Sequence, residues 1–184
     1  MALSTAITTT SQLLLNLGCG YQPIPGWINV DYIKTVHTDQ IVDLNKKWPW
    51  KNNSVDEIFT AHVIEHINDP IHFMKEAQRV LKKDKYITIR CPYGWSDAAM
   101  GDPTHKRSFF VSTFVAFCSG YDPKITLNPQ HNKDRWPFTF EMVDCKLIMQ
   151  DWVKKFPFWK YYSGLFLTLF LNAAHEIVVI LQKK

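Results

Sequence analysis

Leu13-Leu14-Leu15-Asn16-Leu17-Gly18-Cys19-Gly20 decides the fold of this chain. About five apolar-dominated residues make one buried parallel strand. The Gly-x-Gly at its carboxyl end lets the backbone turn tightly and come close to a ligand. In open α/β sheets ligands lie outside the carboxyl ends of the strands, so this turn is the expected seat of a nucleotide-like ligand. A lone Gly-x-Gly also serves as a plain connection, so the rest of the chain has to agree with it.

Immediately downstream, Tyr21-Gln22-Pro23-Ile24-Pro25-Gly26 leaves no room for a long helix, so the first crossover is expected to be short. Trp27-Ile28-Asn29-Val30-Asp31 reads as a second strand ending on a carboxylate. An acid at that tip accepts hydrogen bonds from ribose hydroxyls, which makes Asp31 the ribose candidate. It follows the glycines by fewer than the ~20 residues of a dinucleotide fingerprint, which argues against a standard NAD-binding unit. Further strands are expected at Gln40 to Leu44, Val55 to Ala61, Tyr86 to Cys91, Phe138 to Met149 and His175 to Leu181. Apolar spacing at Ile71, Met74, Ala77, Val80 and Leu81 predicts a helix running to Lys83, started by Asn68-Asp69-Pro70. A short helix is expected at Ser112 to Phe117, a loop at Tyr121 to Pro137, and an aromatic, helix-like stretch at Phe156 to Leu171. Strands alternating with short loops or helices point to a mostly parallel sheet.

The composition agrees with an ordinary globular chain. At 184 residues, 46% hydrophobic and 21% charged, one domain over residues 12–184 is expected, preceded by a loose Ala/Ser/Thr arm over 1–11. The net charge of +4 is spread over scattered lysine pairs, which gives no nucleic-acid signal. Cys19, Cys91, Cys118 and Cys145 contain no C-x-x-C pair, so reduced thiols in a cytoplasmic setting are expected. Leu165 to Leu171 is far short of the ~20 residues that span a bilayer. With Phe156 to Tyr162 it reads as core first, and otherwise as a homodimer face or a membrane-surface contact.

Two clusters carry chemistry. His62-x-x-Glu65-His66 spells a zinc-protease motif, but that motif needs a long helix and a distant third ligand. Here it follows a strand end, and Asn68-Asp69-Pro70 cuts any helix short. The polar loop from Pro92 to Thr113 carries Asp102, His105, Lys106 and Arg107. A histidine there titrates near neutrality and suits proton removal, while the plain alternative is a structured turn capped by His105. Lys106 and Arg107 read either as an anion-attracting pair or as solvated charges.

Taken together these segments resemble the class I S-adenosylmethionine-dependent methyltransferases, and more closely their type 11 methyltransferase-domain branch. The resemblance runs from Leu13 to about Phe114, through Leu15 to Gly20, Pro25 to Asp31, Trp48 to Ile58, Val63 to His66 and Glu76 to Lys82. It implies a Rossmann-like α/β fold whose seven-stranded, mostly parallel sheet has an antiparallel last strand. It implies S-adenosyl-L-methionine as cofactor, with Asn16, Gly18, Cys19 and Gly20 at its methionine part and Asp31 on the ribose. Asp43 and Leu44 would flank the adenine, and Ala61 and His62 would lie beside the methyl group. Asn16 stands where the family usually has a carboxylate, which suggests weaker cofactor affinity. Lys82-Lys83-Asp84-Lys85 replaces the usual proline and glycines before the fifth strand. His105, Asp102 and His66 are the catalytic candidates, acting on an unidentified acceptor, a small molecule or saccharide. No metal is assigned; the resemblance leaves a divalent cation near Glu65 and His66 open, and the plainer expectation is that both orient their loop by hydrogen bonds. A non-catalytic cofactor-binding protein of the same fold, and a poorer NAD or nucleotide-sugar reading, are the alternatives.

Overall fold

Strands β1 (Leu14–Leu17), β2 (Ile28–Asp31), β3 (Gln40–Ile41), β4 (Val55–Ala61), β5 (Leu81–Pro92), β6 (Phe140–Met149) and β7 (Ala174–Lys183) form one sheet, in the order β3-β2-β1-β4-β5-β7-β6. The computed structural model describes residues 12–119, 137–156, 159–161 and 172–184. Strands β1 to β5 pair in parallel, and β7 runs antiparallel to both β5 and β6. This is a Rossmann-like sheet, mostly parallel with an antiparallel last strand, as expected. The side-chain period of two gives the sheet two unequal faces. Leu15, Ile58, Ile87 and Leu181 lie in register across four strands and are fully buried. One residue along, Phe59, Thr88 and Ile180 form a row on the opposite face that stays half-buried.

Helix α1 (Pro70–Val80) lies between β4 and β5. Its start is fixed by Asp69, whose carboxylate accepts the amides of Ile71 and His72, with Pro70 at the first helical position. Phe73, Met74, Ala77 and Val80 recur at helical spacing and are buried, and Phe73 meets Trp48 edge-on at 5.1 Å. Burying a side chain such as Phe73 stabilises the domain by about 1.5–3 kcal/mol.

The expected first crossover is indeed helix-free. Other boundaries move. Helix α1 ends at Val80 rather than Lys83, because Leu81 already pairs with Val55 and the register then jumps to Glu57 opposite Tyr86. Asp84 takes φ +62° in this detour, a left-handed position that Asp tolerates where glycine is usual. Strand β3 is shorter than the expected Gln40 to Leu44, which leaves Asp43 and Leu44 beyond its tip. Helices α2 (Asp97–Gly101), α3 (Val111–Val115) and α4 (Asp151–Lys154) are short. Of these only α3 was expected, at Ser112 to Phe117. The 1–11 arm, most of the Tyr121 to Pro137 loop and the Leu165 to Leu171 run, with the dimer face expected there, lie outside the described residues. No described helix is long and apolar enough to cross a membrane, and all four cysteines are free thiols.

Candidate active site

The glycine turn is held by backbone. The amides of Gly18 and Cys19 both donate to the Val30 carbonyl, at 2.8 and 2.9 Å, which pins the turn to β2. Gly18 and Gly20 take φ of +71° and +49°, a region that favours glycine. A Cβ on Gly18 would stand 2.1 Å from Val63 Cγ2, whereas one on Gly20 would meet nothing within 4 Å. Asp31 closes the turn from the β2 tip: its Oδ2 accepts the Gly20 amide at 2.8 Å and its Oδ1 the Ile33 amide at 3.1 Å. Above the turn opens a cavity of about 840 Å³, walled by Gly18, Gly20, Asp31, Asp43, Leu44 and His62 among others, with His66 and Lys106 at its far side.

Three of the expected cofactor residues do not line this wall. Asn16 is buried, and its Nδ2 donates to the Gln22 carbonyl at 3.1 Å and to Asn29 Oδ1 at 2.9 Å. Its amide therefore holds the β1–β2 loop instead of reaching toward the ligand space. Asn29 is the hub of that loop, since its Oδ1 also accepts the Ile24 amide and its Nδ2 points at the Ile24 and Trp27 carbonyls and Asp39. Cys19 is buried, its thiol lies 3.8 Å from the Gly20 carbonyl, and burial pushes its pKa up. Ala61 ends β4 immediately before His62.

His62 stands between two cavities. It takes φ +56°, uncommon for a residue with a side chain and typical of functional turns. Its Nδ1 lies 3.5 Å from Glu65 Oε1, and its Nε2 3.1 Å from Glu176 Oε1. These two carboxylates, Glu65 foremost, raise its pKa against the opposing effect of burial. Behind it lies a second cavity of about 620 Å³, lined by His62, Glu65, His66, Asp97, Asp102 and His105 among others. His62 and His66 belong to both linings.

The second cavity is assembled by ties between the turn after β4 and the loop after α2. Ile64–His66 forms a single 3-10 turn. The Lys106 amide donates to the Glu65 carbonyl at 2.8 Å, Lys106 Nζ reaches Asn68 Oδ1, and Arg107 donates to the Asn68 carbonyl at 2.7 Å. Lys106 and Arg107 are therefore structural ties here. Their anchoring sets His105 beside His66, ring centroids 4.7 Å apart. His105 Nδ1 lies 3.1 Å from the Ala99 carbonyl and its Nε2 3.6 Å from Asp102 Oδ2. Thr104 holds the Asp102 carboxyl below the usual carboxylate range through its hydroxyl and amide. Of the two residues expected to orient this loop by hydrogen bonds, His66 does so through Nδ1 to Thr104, whereas among the described residues neither carboxylate oxygen of buried Glu65 has a hydrogen-bond partner.

Glu176 and Arg90 escaped the reading of the sequence. Arg90 Nε and Nη2 donate to the two oxygens of buried Glu176 at 3.0 and 2.8 Å, linking β5 to β7 under His62. The available signal was one cation and one anion set in two otherwise apolar strand runs. Asp97, at the start of α2, lies within the polar Pro92 to Thr113 loop but was not singled out there.

Residues 29–89 match the family model of a methyltransferase domain. No curated protein matches the chain by sequence. Among solved structures, an S-adenosylmethionine-dependent methyltransferase from Archaeoglobus fulgidus superimposes with a TM-score of 0.60 at 16% identity, covering 95% of this chain and 87% of its own. Phosphoethanolamine N-methyltransferase 2 from Haemonchus contortus, solved with S-adenosyl-L-methionine, gives 0.54 at 13%, covering 95% of this chain and 49% of its own. The cyclase SpnF gives 0.58 at 12%, covering 94% and 75%. A fold shared with a cyclase leaves the chemistry to be read from the site.

Proposed function

We propose that this chain, which carries a methyltransferase-domain segment on a class I methyltransferase sheet, transfers a methyl group from S-adenosyl-L-methionine to a polar small molecule or saccharide. The observation that carries this reading is the meeting of two cavities at His62 and His66. A displacement reaction needs donor and acceptor in line across a short gap, and two cavities with a common wall provide that arrangement. The larger one fits the cofactor. A glycine whose added Cβ would project into open space, a carboxylate at the β2 tip and a volume suited to a nucleoside-sized ligand are the features such a group requires. When bound, S-adenosyl-L-methionine supplies an electrophilic methyl group.

The chain's own residues then divide the work. Gly18 and Gly20 let the backbone approach the methionine part, Asp31 takes the ribose hydroxyls, and Asp43 and Leu44 flank the base. Ala61 and His62 end β4 at the boundary with the acceptor. On the acceptor side His66, Asp102 and His105 bind polar groups and receive the proton that the acceptor loses. The cytoplasmic setting read from the free cysteines suits such an enzyme.

Titration calorimetry tests the reading. S-adenosylmethionine and S-adenosylhomocysteine are expected to bind in the micromolar range, on the order of −8 kcal/mol, with no binding of NAD. Asp31→Ala is expected to weaken both by about 1.5–3 kcal/mol, as the loss of charge-assisted ribose bonds requires. Binding of NAD alone would replace the methyltransferase with the dinucleotide reading. Cofactor binding with no methyl transfer to any offered acceptor would favour a non-catalytic protein.

A further inference from the structure

We infer that Glu65, His66 and His105 hold a divalent transition-metal ion on the acceptor side of the site. One ligand atom from each of the three lies within 4.8 Å of the other two. Bonds of about 2.1 Å to nitrogen and oxygen require these atoms to draw closer around a shared ion, which leaves further positions open. Two imidazoles and one carboxylate with open positions suit zinc, manganese, iron or cobalt better than magnesium or calcium.

The independent sign is Glu65. It is only 2% exposed, it lines the cavity, and among the described residues neither of its oxygens has a hydrogen-bond partner. Its charged neighbour is His62, whose Nδ1 lies 3.5 Å from Oε1 as an ion pair without hydrogen-bond geometry, and His62 shares that charge with Glu176. A carboxylate removed from water and left without donors costs several kcal/mol unless a charge compensates it. His62 divides its charge between Glu65 and Glu176, and a bound cation supplies the rest.

The histidines are prepared in the way that metal ligands are. His105 Nδ1 faces the Ala99 carbonyl at 3.1 Å, and His66 Nδ1 faces the Thr104 carbonyl at 3.3 Å. A carbonyl only accepts, so each Nδ1 carries the proton and each Nε2 keeps its lone pair. Thr104 Oγ1 fits the same assignment: it donates to Asp102 Oδ1 at 2.6 Å, which leaves it able to accept from His66 Nδ1 at 3.2 Å. Backbone carbonyls on the distal nitrogen fix both tautomer and ring orientation.

The inference rests on the two-cavity reading for the ion's role, since open metal positions in that cavity would face an oxygen-bearing acceptor. It competes with one part of that reading. The Nε2 lone pair of His105 cannot take a proton and bind a metal at the same time.

The test uses the full chain, stripped with EDTA and titrated with Zn²⁺ by calorimetry and with Co²⁺ by visible absorption. The expected result is one equivalent of each ion bound at micromolar Kd or tighter, with cobalt bands showing imidazole ligation. Glu65→Gln and His105→Ala are expected to weaken Zn²⁺ binding at least tenfold, while His72→Ala, on helix α1, leaves it unchanged. Absence of stoichiometric binding, or binding that survives both substitutions, overturns the inference. So does equal loss in His72→Ala. S-adenosylhomocysteine binding by the metal-free protein is measured in parallel: if it persists in Glu65→Gln, that variant has kept its fold. Zinc binding without any adenosyl-ligand binding would sink the methyltransferase reading and leave the metal site standing.

Discussion

The two cavities that meet at His62 and His66 are built from different material. The larger is a backbone construction: two left-handed glycines, amides donated to the Val30 carbonyl, and a carboxylate satisfied by two more amides. The smaller is a side-chain construction, in which His62, Glu65, His66, Asp97, Asp102 and His105 converge from three separate segments. The backbone wall tolerates no added atom at Gly18 and depends little on pH, whereas side-chain walls accept steric change and respond to charge and metal. On the proposed assignment the donor side should therefore fail by distortion and the acceptor side by loss of individual groups.

The largest expected effect is on the donor side. Gly18→Ala forces an L-residue into φ +71° and drives its Cβ to 2.1 Å from Val63. Left-handed strain of about 1–2 kcal/mol and overpacking of about 1–3 kcal/mol together predict a loss of about 2–5 kcal/mol in urea unfolding. Cofactor binding should disappear with it. Wild-type stability and affinity in this variant would mean that the turn can be rebuilt, and the contrast between the two walls would be lost.

A smaller effect is expected at Asn16, the departure from the family's usual carboxylate. Asn16→Asp restores the common residue but puts an acceptor against the Gln22 carbonyl and Asn29 Oδ1. Asn29 cannot turn over to compensate, because its Oδ1 already accepts the Ile24 amide and its Nδ2 faces three acceptors. The variant should lose about 1–3 kcal/mol of stability and gain no affinity for S-adenosylmethionine. A gain in affinity, measured by calorimetry, would return Asn16 to the ligand wall.

Legibility in the sequence followed the same division. Gly18, Gly20 and Asp31 could be read in advance because the physics that places them is local: a strand end, a tight turn and a second strand tip. The seven-stranded, mostly parallel sheet with its antiparallel last strand came with the resemblance, and the register of Leu15, Ile58, Ile87 and Leu181 agrees with it. Asn16 was read as a ligand residue because its real partner, Asn29, lies across the sheet, where only pairing register brings them together. The acceptor side was legible in pieces. Glu65 and His66 are adjacent in sequence and His105 stood out alone, but nothing local says that the loop ties to Asn68 and Glu65 would join them. Glu176, supplied by the last strand, was invisible for the same reason.

The smallest expected effect concerns how the donor wall is braced from outside. Glu76 on α1 accepts the Trp48 amide at 2.7 Å and Arg79 Nε and Nη2 at 2.7 and 2.6 Å, and Arg79 donates to the Trp48 and Trp50 carbonyls. Trp48 in turn donates from its indole to the Leu44 carbonyl at 3.3 Å, so this buried pair holds the segment that begins at the cavity wall. Arg79, with help from the Trp48 amide, keeps the Glu76 carboxyl below the usual carboxylate range despite burial. Because the folded value is depressed, its stabilisation is fully present above the unfolded value of about 4.3 and is lost as pH falls through the folded value. Wild-type unfolding free energy should hold level from pH 7 to about 5 on account of this group and drop below that. Glu76→Gln, which keeps the shape and removes the charge, should cost about 1 kcal/mol at neutral pH and flatten the acid limb. It should slightly weaken S-adenosylhomocysteine binding while leaving zinc affinity on the acceptor side as it was. An acid limb as steep in Glu76→Gln as in the wild type would show that the brace is carried by Arg79's carbonyl contacts alone, with the carboxylate a bystander.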